Sequence, residues 1–349
     1  MQKWWSLLFA ALLVGGVGLF VVAPFVPGWW LQKNVSEWGG KVDGLFYLIL
    51  GITGFFFILT EAILVYFVYT YAAGPGRREH VFGHHYAEER VFWTSFFKRI
   101  ARPVTAVIHN QHRLELTWTI IPAGILLFIA IAQIGAWEDI KYYTKMPEPG
   151  KQTQQMEVNA RQFEWRVRYP SPERMAEWDA DPGRANDFAV NAHADDVWVV
   201  NEVHAWWNNK VLVSLKTRDV IHSFYLPNLR LKQDALPGKT IPVWFKATEP
   251  NTARDGDRWV DGVVFDPVKN DKDEVTDYTA KKDDQGKWQT AREQVWELAC
   301  AELCGWGHYK MLGKLYVHKD KADFLAWLRH AQAEQFRTQP SETLTTAAR

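Results

Sequence analysis

Cysteine is scarce in this chain: only Cys300 and Cys304 occur among its 349 residues. A framework of several disulfides is therefore excluded, because two cysteines can form at most one bridge. No Cys-x-x-Cys-His segment exists, so the covalent attachment site of a c-type haem is absent. A surplus of positive charge is also missing, since 40 Lys and Arg residues balance 40 Asp and Glu residues. The sequence offers no basic patch, which argues against nucleic-acid binding.

The balanced charge is distributed unevenly along the chain. Residues 1–137 carry 10 basic and 7 acidic side chains, which leaves 30 and 33 for residues 138–349. The C-terminal part therefore has a formal charge of −3. Such a charge fits a surface visited by a basic partner, because opposite charges favour encounter.

Three long apolar stretches stand out in the first 137 residues: Leu7–Val26, Leu45–Ala73 and Leu116–Trp137. Each is long enough to cross a bilayer as a helix. The second is interrupted only by Glu61, and Glu115 directly precedes the third. Tryptophans lie near the ends of these stretches, as expected at a membrane interface; they are Trp4, Trp5, Trp29, Trp30, Trp118 and Trp137.

The first stretch has a second interpretation. Lys3 followed by an apolar run is also how a signal peptide begins. The residues that follow, Pro24–Trp30, contain no small-x-small cleavage site. We therefore expect a retained helix within residues 1–30, with a cleaved signal segment as the alternative.

The loops between the stretches predict the orientation of the chain. Between the second and third stretches, seven Lys and Arg residues outnumber four acidic residues, whereas the preceding loop carries two of each. Because cytoplasmic loops are enriched in Lys and Arg, the loop at 74–115 is predicted to be cytoplasmic. Residues 31–150 then form a transmembrane hairpin, and the C-terminal part lies on the outer face, which is the periplasmic face of a bacterial-type inner membrane.

From about Gln154 the pattern changes to short alternating or β-branched runs separated by Pro, Gly and Asp. Such runs predict an all-β sandwich or barrel within residues 151–319; they are Met156–Tyr169, Asp196–Glu202, Lys210–Thr217, Thr240–Ala247, Gln294–Ala299 and Lys314–His318. A charged segment at 249–292 is expected to be a solvated insertion. Within residues 320–349, Asp320 is a predicted N-cap for a helix to about Phe336, and a polar tail follows.

One segment near the end of this domain concentrates metal ligands. Cys300, Cys304, His308 and Met311 lie within twelve residues, and His222 adds a second imidazole from further upstream. Thiolate, thioether and imidazole groups are ligands that copper prefers. A disulfide remains open as an alternative, because the domain is predicted to lie outside the cytoplasm. A zinc site of two Cys and two His also remains open, although it would have no use for Met311.

These residues resemble subunit II of the haem-copper cytochrome c oxidases. His222-Ser-Phe, Lys232 to Gly238 and Cys300 to Met311 fit three family patterns in order: His-Ser-Phe-x-x-Pro, Lys-x-Asp-x-x-Pro-Gly and Cys-x-Glu-x-Cys-Gly-x-x-His-x-x-Met. The resemblance implies a membrane-anchored α plus all-β protein. Its N-terminal transmembrane helices would be followed by a cupredoxin-like β-sandwich.

The resemblance also implies a binuclear copper centre, CuA. Cys300 and Cys304 would bridge both coppers, and His222 and His308 would be terminal ligands. The Met311 thioether and the backbone carbonyl of Glu302 would be weak axial ligands. The Glu302 carboxylate would in addition bind a magnesium ion shared with the catalytic subunit, since that ion prefers oxygen ligands.

Two further segments resemble family features outside the copper loop. Glu115-Leu-Thr-Trp resembles the start of a helix whose Glu marks the mouth of a proton path; an interfacial acid at a helix N-terminus is the alternative. Arg161–Trp165 resembles the aromatic segment that receives electrons, but Phe163 stands where the family usually has Trp. Residues two apart on a strand share a face, so Trp165 could offer the exposed contact; alternatively Phe163 itself suffices.

The implied function is electron transfer into a respiratory oxidase. The chain would accept electrons from cytochrome c at CuA and pass them to catalytic subunit I for oxygen reduction coupled to proton pumping, with subunit III as a further partner. It would be an oxidoreductase and translocase subunit that lacks the oxygen-reducing site itself. Two alternatives remain. The CuA domain of a nitrous-oxide-reductase type enzyme would not need the anchors, and a copper carrier or assembly protein would need exposed, exchangeable thiols.

Overall fold

The computed structural model describes residues 2–26, 29, 31–71, 111–150 and 153–338. The chain divides into two compact units, one formed by Lys41–Glu138 and the other by Met1–Gly40 together with Asp139–Arg349. Most of the predicted cytoplasmic loop, residues 74–110, lies outside the described residues. The polar tail from residue 339 onward also lies outside them.

Long apolar helices dominate the N-terminal part. They are α1 (Gln2–Val22), α2 (Gly39–Tyr71) and α3 (Gln111–Ala132), and the short helix α4 (Ile134–Lys141) continues from α3. Two segments, Gly39–Leu64 and Glu115–Lys141, are long and apolar enough to cross a membrane. Their 26 and 27 residues exceed the roughly 20 that a helix needs to span the hydrocarbon core. The predicted hairpin helices are therefore present, and the membrane role of α1 stays a prediction.

The C-terminal part is a β-sandwich of two five-stranded sheets. The strands of these sheets are β1 (Thr153–Arg161), β2 (Glu164–Tyr169), β3 (Val197–Val200), β4 (Glu202–Trp206), β5 (Lys210–Thr217), β6 (His222–Leu226), β7 (Leu231–Ala235), β8 (Ile241–Lys246), β13 (Trp296–Cys300) and β14 (Leu312–His318). Sheet one has the order β3-β2-β1-β5-β8, and sheet two has the order β4-β14-β13-β6-β7.

Each sheet contains one parallel pair among antiparallel neighbours. β1 runs parallel to β5, and β14 runs parallel to β4. In sheet two, β13 pairs with β6 so that Ala299 lies opposite Tyr225 and Cys300 lies opposite Phe224. This register matters for function because it brings the end of β13 beside the start of β6.

The core lies between the two sheets. Trp165 of β2 is fully buried and packs edge to face against Phe224 of β6, with ring centroids 5.5 Å apart. Sheet one also buries charge: the guanidinium of Arg168 lies 2.7 Å from the carboxylate of Glu157 and 2.6 Å from that of Asp196. The arginine is thus paired on both sides, as a buried charge must be.

The charged insertion is more ordered than the sequence suggests. It contains two small hairpins, β9 (Ala253–Asp255) with β10 (Arg258–Val260) and β11 (Phe265–Lys269) with β12 (Val275–Ala280). Most of β11 is solvated, as expected, but Val263 is buried. The insertion is therefore partly built into the domain.

Two further helices cover the sandwich. α5 (Pro172–Ala180) follows Ser171, whose hydroxyl accepts a hydrogen bond from the Arg174 amide and caps the helix. α6 (Lys321–Thr338) is the predicted C-terminal helix. The backbone N–H of Asp323 donates to the Asp320 carboxylate at 2.8 Å, so the predicted N-cap is confirmed.

Candidate metal centre

The predicted ligands come from one end of three adjacent strands in sheet two. His222 is the first residue of β6, Cys300 is the last residue of β13, and Met311 directly precedes β14. The order β14-β13-β6 makes these strands neighbours. The loop from Ala301 to Lys310 therefore folds back over the strand ends, because both of its ends belong to a single antiparallel pair.

Two free thiols form the centre of the site. Cys300 and Cys304 are buried and unbridged, with their Sγ atoms 3.9 Å apart. A disulfide would require about 2.05 Å between the sulfurs. The ligand atoms of His222, Cys300 and Cys304 all lie within 4.8 Å of one another.

His222 is held in one orientation by a carboxylate. Its Nε2 lies 2.8 Å from Asp219 Oδ1, and its Nδ1 faces the Cys300 Sγ at 3.8 Å. Because a carboxylate accepts the Nε2–H, the lone pair of Nδ1 is directed at the thiols. Asp219 is held in turn, because its Oδ2 accepts a hydrogen bond from the backbone N–H of Gln162 at 2.7 Å.

The remaining donors lie around the same two sulfurs. His308 Nδ1 is 3.6 Å and Met311 Sδ is 3.8 Å from the Cys304 Sγ. The backbone carbonyl of Glu302 is 3.2 Å from the Cys300 Sγ. The structure thus brings all six predicted copper-binding residues together. The Glu302 side chain is exposed, and no described contact ties it to the thiols.

The two thiols differ in acidity. Burial by itself raises the pKa of Cys300, but its hydrogen bonds with His222 and with the backbone of Ser223 and Glu302 outweigh it and lower that pKa to about 6. Burial and the charge of Cys300 raise the pKa of Cys304 to about 11. The Cys300 thiolate therefore forms more readily than the Cys304 thiolate, and a bound cation would stabilise both.

The donor set fits copper. Two thiols, two imidazoles and a thioether converge, and this combination of soft and borderline donors suits copper. The alternative of zinc would use the sulfur and nitrogen donors and leave Met311 without a role. The geometry is compatible with a copper centre, as the sequence predicts.

Close contacts with the β1–β2 turn support the ligand loop. The Gln162 side-chain amide donates to the Cys304 carbonyl at 2.5 Å. A Cβ added to Gly307 would lie only 2.4 Å from Cδ2 of Phe163, so glycine is required for the ring to approach the loop here. Gly305 has a φ of 129°, which L side chains rarely adopt.

The expected exposed contact at Trp165 is wrong. Phe163 lies in the turn between β1 and β2, so it does not share a strand face with Trp165. The Trp165 side chain is fully buried, and its ring centroid is 6.2 Å from that of His222. Phe163 is half-buried and packs against the exposed ring of Trp306 with centroids 5.3 Å apart.

Glu115 belongs to the other unit of the chain, Lys41–Glu138. It is an exposed residue in the second turn of α3, at the start of the apolar span Glu115–Lys141. This position is consistent with both sequence interpretations, the proton path and the interfacial acid.

Sequence reasoning missed three residues around the thiols. Asp219 stands three residues before His222, and this short Asp-x-x-His spacing was its only signal. Gln162 contacts a carbonyl 142 residues away, which no local pattern reveals. Trp306 lies inside the cysteine motif itself, at a position the family pattern leaves open.

Two family models match the chain. Residues 155–253 match the periplasmic domain of cytochrome c oxidase subunit II, and residues 90–134 match the transmembrane domain of the same subunit. The first match includes His222 and ends before the cysteine loop. These matches support the assignment of the chain to the cytochrome c oxidase subunit II family. The resemblance inferred from the ligand motifs is therefore confirmed.

Curated relatives carry the same family name. The chain is 28% identical over 243 residues to cytochrome c oxidase subunit 2 of Alkalihalophilus pseudofirmus, which covers 69% of this chain and 51% of the relative. It is 22% identical over 324 residues to the alternative cytochrome c oxidase subunit 2 of Bradyrhizobium diazoefficiens, covering 91% and 89%. The match thus spans about half of the first relative and most of the second.

Two solved structures also match the chain. The crystal structure of the periplasmic domain of subunit II of cytochrome oxidase (CoxB) of Bradyrhizobium japonicum is 19% identical, covers 52% of this chain and 94% of that chain, and gives a TM-score of 0.31. The cryo-EM structure of a heme-copper terminal oxidase dimer is 16% identical, covers 60% and 100%, and also gives 0.31. The fold assignment rests on the strand topology and does not depend on these scores.

The family matches agree with the predicted location of the chain in the membrane. The match to the subunit II transmembrane domain and the two apolar spans identify a membrane-anchored chain. The β-sandwich contains the match to the family's periplasmic domain, so the predicted outer location is confirmed. Membership of subunit II implies a complex with other oxidase subunits.

Proposed function

We propose that this chain is the electron-accepting subunit of a cytochrome c oxidase, with a binuclear copper centre at the ends of β6, β13 and β14. The observation that carries the proposal is the convergence of two free buried thiols with imidazole and thioether donors. Cys300, Cys304, His222 and His308 would hold the two coppers as the strong donors. Met311 and the carbonyl of Glu302 would add weaker donors.

When bound, the copper pair supplies a one-electron acceptor whose charge is shared through the thiolates. The chain's own residues fix its surroundings. Asp219 orients His222, Gln162 holds the Cys304 carbonyl, and the end of β13 and the loop after it hold the two cysteines. Such pre-organisation keeps the ligand geometry similar in both redox states, which favours fast transfer.

The proposed partners follow from subunit II membership and the outer location. A reduced cytochrome c would deliver electrons, and catalytic subunit I would receive them and reduce oxygen with proton pumping. Subunit III would complete the assembly. Glu115 would serve proton uptake into subunit I, and the Glu302 carboxylate would bind a magnesium ion shared with that subunit.

A redox experiment tests the electron-accepting role. The purified complex is mixed rapidly with reduced cytochrome c, and the thiolate-to-copper absorption is followed together with cytochrome oxidation. In the wild type, both signals should change with one rate. Cys304→Ser replaces a soft donor with a hard one and should abolish the absorption and the reaction. A wild-type complex that contains copper but never accepts an electron would contradict the proposal and favour copper storage or assembly.

The magnesium assignment has its own test. Glu302→Gln keeps the backbone carbonyl near Cys300 but removes the carboxylate. The variant should retain its copper and its visible absorption and lose magnesium, as measured by metal analysis of the purified complex. Unchanged magnesium content would remove Glu302 from that site.

A further inference from the structure

The ligand loop exposes a set of large side chains between the proposed ligands. Leu303, Trp306 and Tyr309 are 78%, 79% and 68% exposed, and they alternate along the chain with Cys304, His308 and Met311. We call Leu303, Trp306, Tyr309 and Lys310 the loop rim. Large apolar side chains exposed together mark interaction sites more often than isolated ones do.

The rim has an ordered aromatic arrangement. The Lys310 ammonium lies 5.7 Å from the ring centroid of Trp306 and 5.5 Å from that of Tyr309, within cation–π range of both rings. On its other side, Trp306 packs edge to face on Phe163. The indole is therefore held in position although most of its surface is open to solvent.

Trp306 is close in sequence to the proposed copper-binding residues, so only a short stretch of backbone separates it from the thiols. It stands two residues after Cys304 and two before His308, both of which face the same sulfur cluster. Phe163, the residue at the family's usual tryptophan position, is half-buried beneath this indole and against Gly307. A molecule approaching this part of the loop meets Trp306 before it meets Phe163.

We propose that Trp306 is the residue that contacts the electron donor, and that the loop rim binds a c-type cytochrome whose exposed haem edge is surrounded by apolar side chains. The proposal rests on the electron-accepting function above. In the step itself, one electron leaves the donor's ferrous haem, which becomes ferric, and reduces the oxidised copper pair. No bond forms or breaks, and no proton moves.

The charge of the rim argues for an apolar donor surface. Lys310 is the single cation of the loop rim and its charge faces two aromatic rings, and the same loop carries the exposed acid Glu302. The carboxylate of Asp219 is engaged by His222 and Gln162. A strongly basic donor would gain little here, so the slight acidity of the whole C-terminal part does not identify the partner. Association should consequently depend only weakly on ionic strength.

Binding and electron transfer are measured separately on the purified complex. The probe for binding is a cytochrome c with zinc in place of iron, which is redox-inert in the dark. Trp306→Leu should weaken its binding about tenfold, the loss typical of a tryptophan at the centre of an interface. Trp198→Leu is the matched control, since Trp198 is an exposed tryptophan on β3 of the other sheet, and it should bind as the wild type does.

The electron-transfer measurement uses ferrous cytochrome c and hexaammineruthenium(II), a small reductant that needs no docking surface. Trp306→Leu should slow reduction by cytochrome c about tenfold and leave reduction by the ruthenium complex unchanged. Between low and physiological salt, the wild-type rate with cytochrome c should change less than about threefold, whereas electrostatic steering gives 10-fold effects or more. Wild-type binding and rates in Trp306→Leu would overturn the inference.

A measurement on the wild type covers the case in which the leucine variant misfolds. Hydroxyl-radical labelling read by mass spectrometry should show Trp306 protected by bound zinc cytochrome c and Trp198 unprotected. Unchanged labelling of Trp306 in the bound state would overturn the inference. If Cys304→Ser blocks reduction while Trp306 proves irrelevant, the proposed function stands and this inference falls. If the wild type neither binds nor oxidises a cytochrome, both fall.

Discussion

At the scale of single residues, the contact between Asp219 and His222 explains why Nδ1 is the imidazole nitrogen that faces the thiols. The carboxylate lies 2.8 Å from Nε2, on the side of the ring away from the thiols. Removal of its charge would leave both ring tautomers accessible, and only one presents a lone pair at Nδ1. Partners that orient a metal-binding histidine in this way contribute strongly to metal affinity.

Asp219→Asn is therefore expected to weaken copper retention by about 10- to 100-fold. Competition against a chelator of known affinity measures this loss. The control is Asp187→Asn, because Asp187 contacts His193 in an exposed pair at 3.1 Å that has no part in the site. Equal copper retention in the two variants would show that Asp219 does not act through His222.

Gly307→Ala tests the close approach of Phe163 to the ligand loop. The backbone φ of Gly307 is −91°, which any residue adopts, so the expected effect is purely steric. The new methyl group would lie 2.4 Å from the Phe163 ring and must displace either the ring or the loop. Overpacking of this kind costs about 1–3 kcal/mol, and it should also alter the visible absorption of the bound copper.

Thermal unfolding and the absorption spectrum check the Gly307 prediction. Gly183→Ala is the control, because the nearest atom to its added Cβ would be 3.4 Å away. A Gly307→Ala variant with wild-type stability and spectrum would mean that the turn adjusts freely. Phe163 would then not support the loop.

The ligands themselves were predictable from the sequence, but their supports were not. Cys300, Cys304, His308 and Met311 lie within one short segment, so spacing and ligand chemistry identify them. Gln162 acts across 142 residues, and the burial of Trp165 depends on the packing of two sheets. Such contacts are set by tertiary structure, which local patterns do not encode.

At the scale of elements, a buried polar network joins β4, β14 and α6. The ring of His204 stacks on Trp327, with centroids 3.5 Å apart, and its Nδ1 lies 3.0 Å from His318 Nε2. His318 Nδ1 in turn lies 2.8 Å from the carboxylate of Asp323. Burial lowers the pKa of both imidazoles, and for His318 this outweighs the opposite effect of Asp323. Both rings are therefore neutral at pH 7.

This network predicts that the domain loses stability as the pH falls below about 6.5. In that range the unfolded chain protonates its histidines, whereas the folded chain resists because its pKa values are lower. Each such histidine contributes a slope of up to about 1.4 kcal/mol per pH unit, with stability rising as the pH rises. Above about pH 6.5 the slope from this source should vanish.

Chemical unfolding of the purified chain in detergent at pH 7.5, 6.5 and 5.5 measures the slope. His204→Gln should be less stable than the wild type at pH 7.5 but should show a smaller loss on acidification. His193→Gln replaces a solvent-accessible histidine and should keep the wild-type slope. An unchanged slope in His204→Gln would mean that acid sensitivity arises elsewhere.

The sequence pattern predicted some strands and helices correctly and missed others. The run Lys210–Thr217 is a strand with the predicted bounds, and Val211, Val213 and Leu215 are fully buried at every second position, as one face of a strand requires. The predicted run Met156–Tyr169 is in fact divided between two strands. The turn between them was not predicted because it contains neither glycine nor proline. Helix α5 was missed although Ser171 followed by Pro172 is an N-terminal signal, because its short amphipathic pattern lies between strands.

At the scale of the whole molecule, the chain consists of a membrane anchor and an outer β-sandwich domain. Each apolar span exceeds the hydrocarbon thickness, and the family matches cover parts of both the transmembrane and the periplasmic domains. The proposed electron acceptance and the proposed proton uptake belong to different regions of the chain. Variants of each region should therefore affect different steps of turnover.

Glu115→Gln tests this separation. The substitution keeps size and hydrogen bonding but removes the titratable proton, so oxygen reduction by the complex should slow. Reduction of the copper site by cytochrome c should be unchanged. Glu138→Gln is the control, as an exposed acid near the other end of the same span. Unaltered turnover in Glu115→Gln would leave Glu115 as an interfacial acid.

The most direct test of the central claim is the metal content and spin state of the purified wild-type chain. Two coppers per chain are expected, with one unpaired electron shared between them in the oxidised form. Both properties should disappear in Cys304→Ser. A disulfide between Cys300 and Cys304, a single copper or a zinc ion in their place would contradict the account.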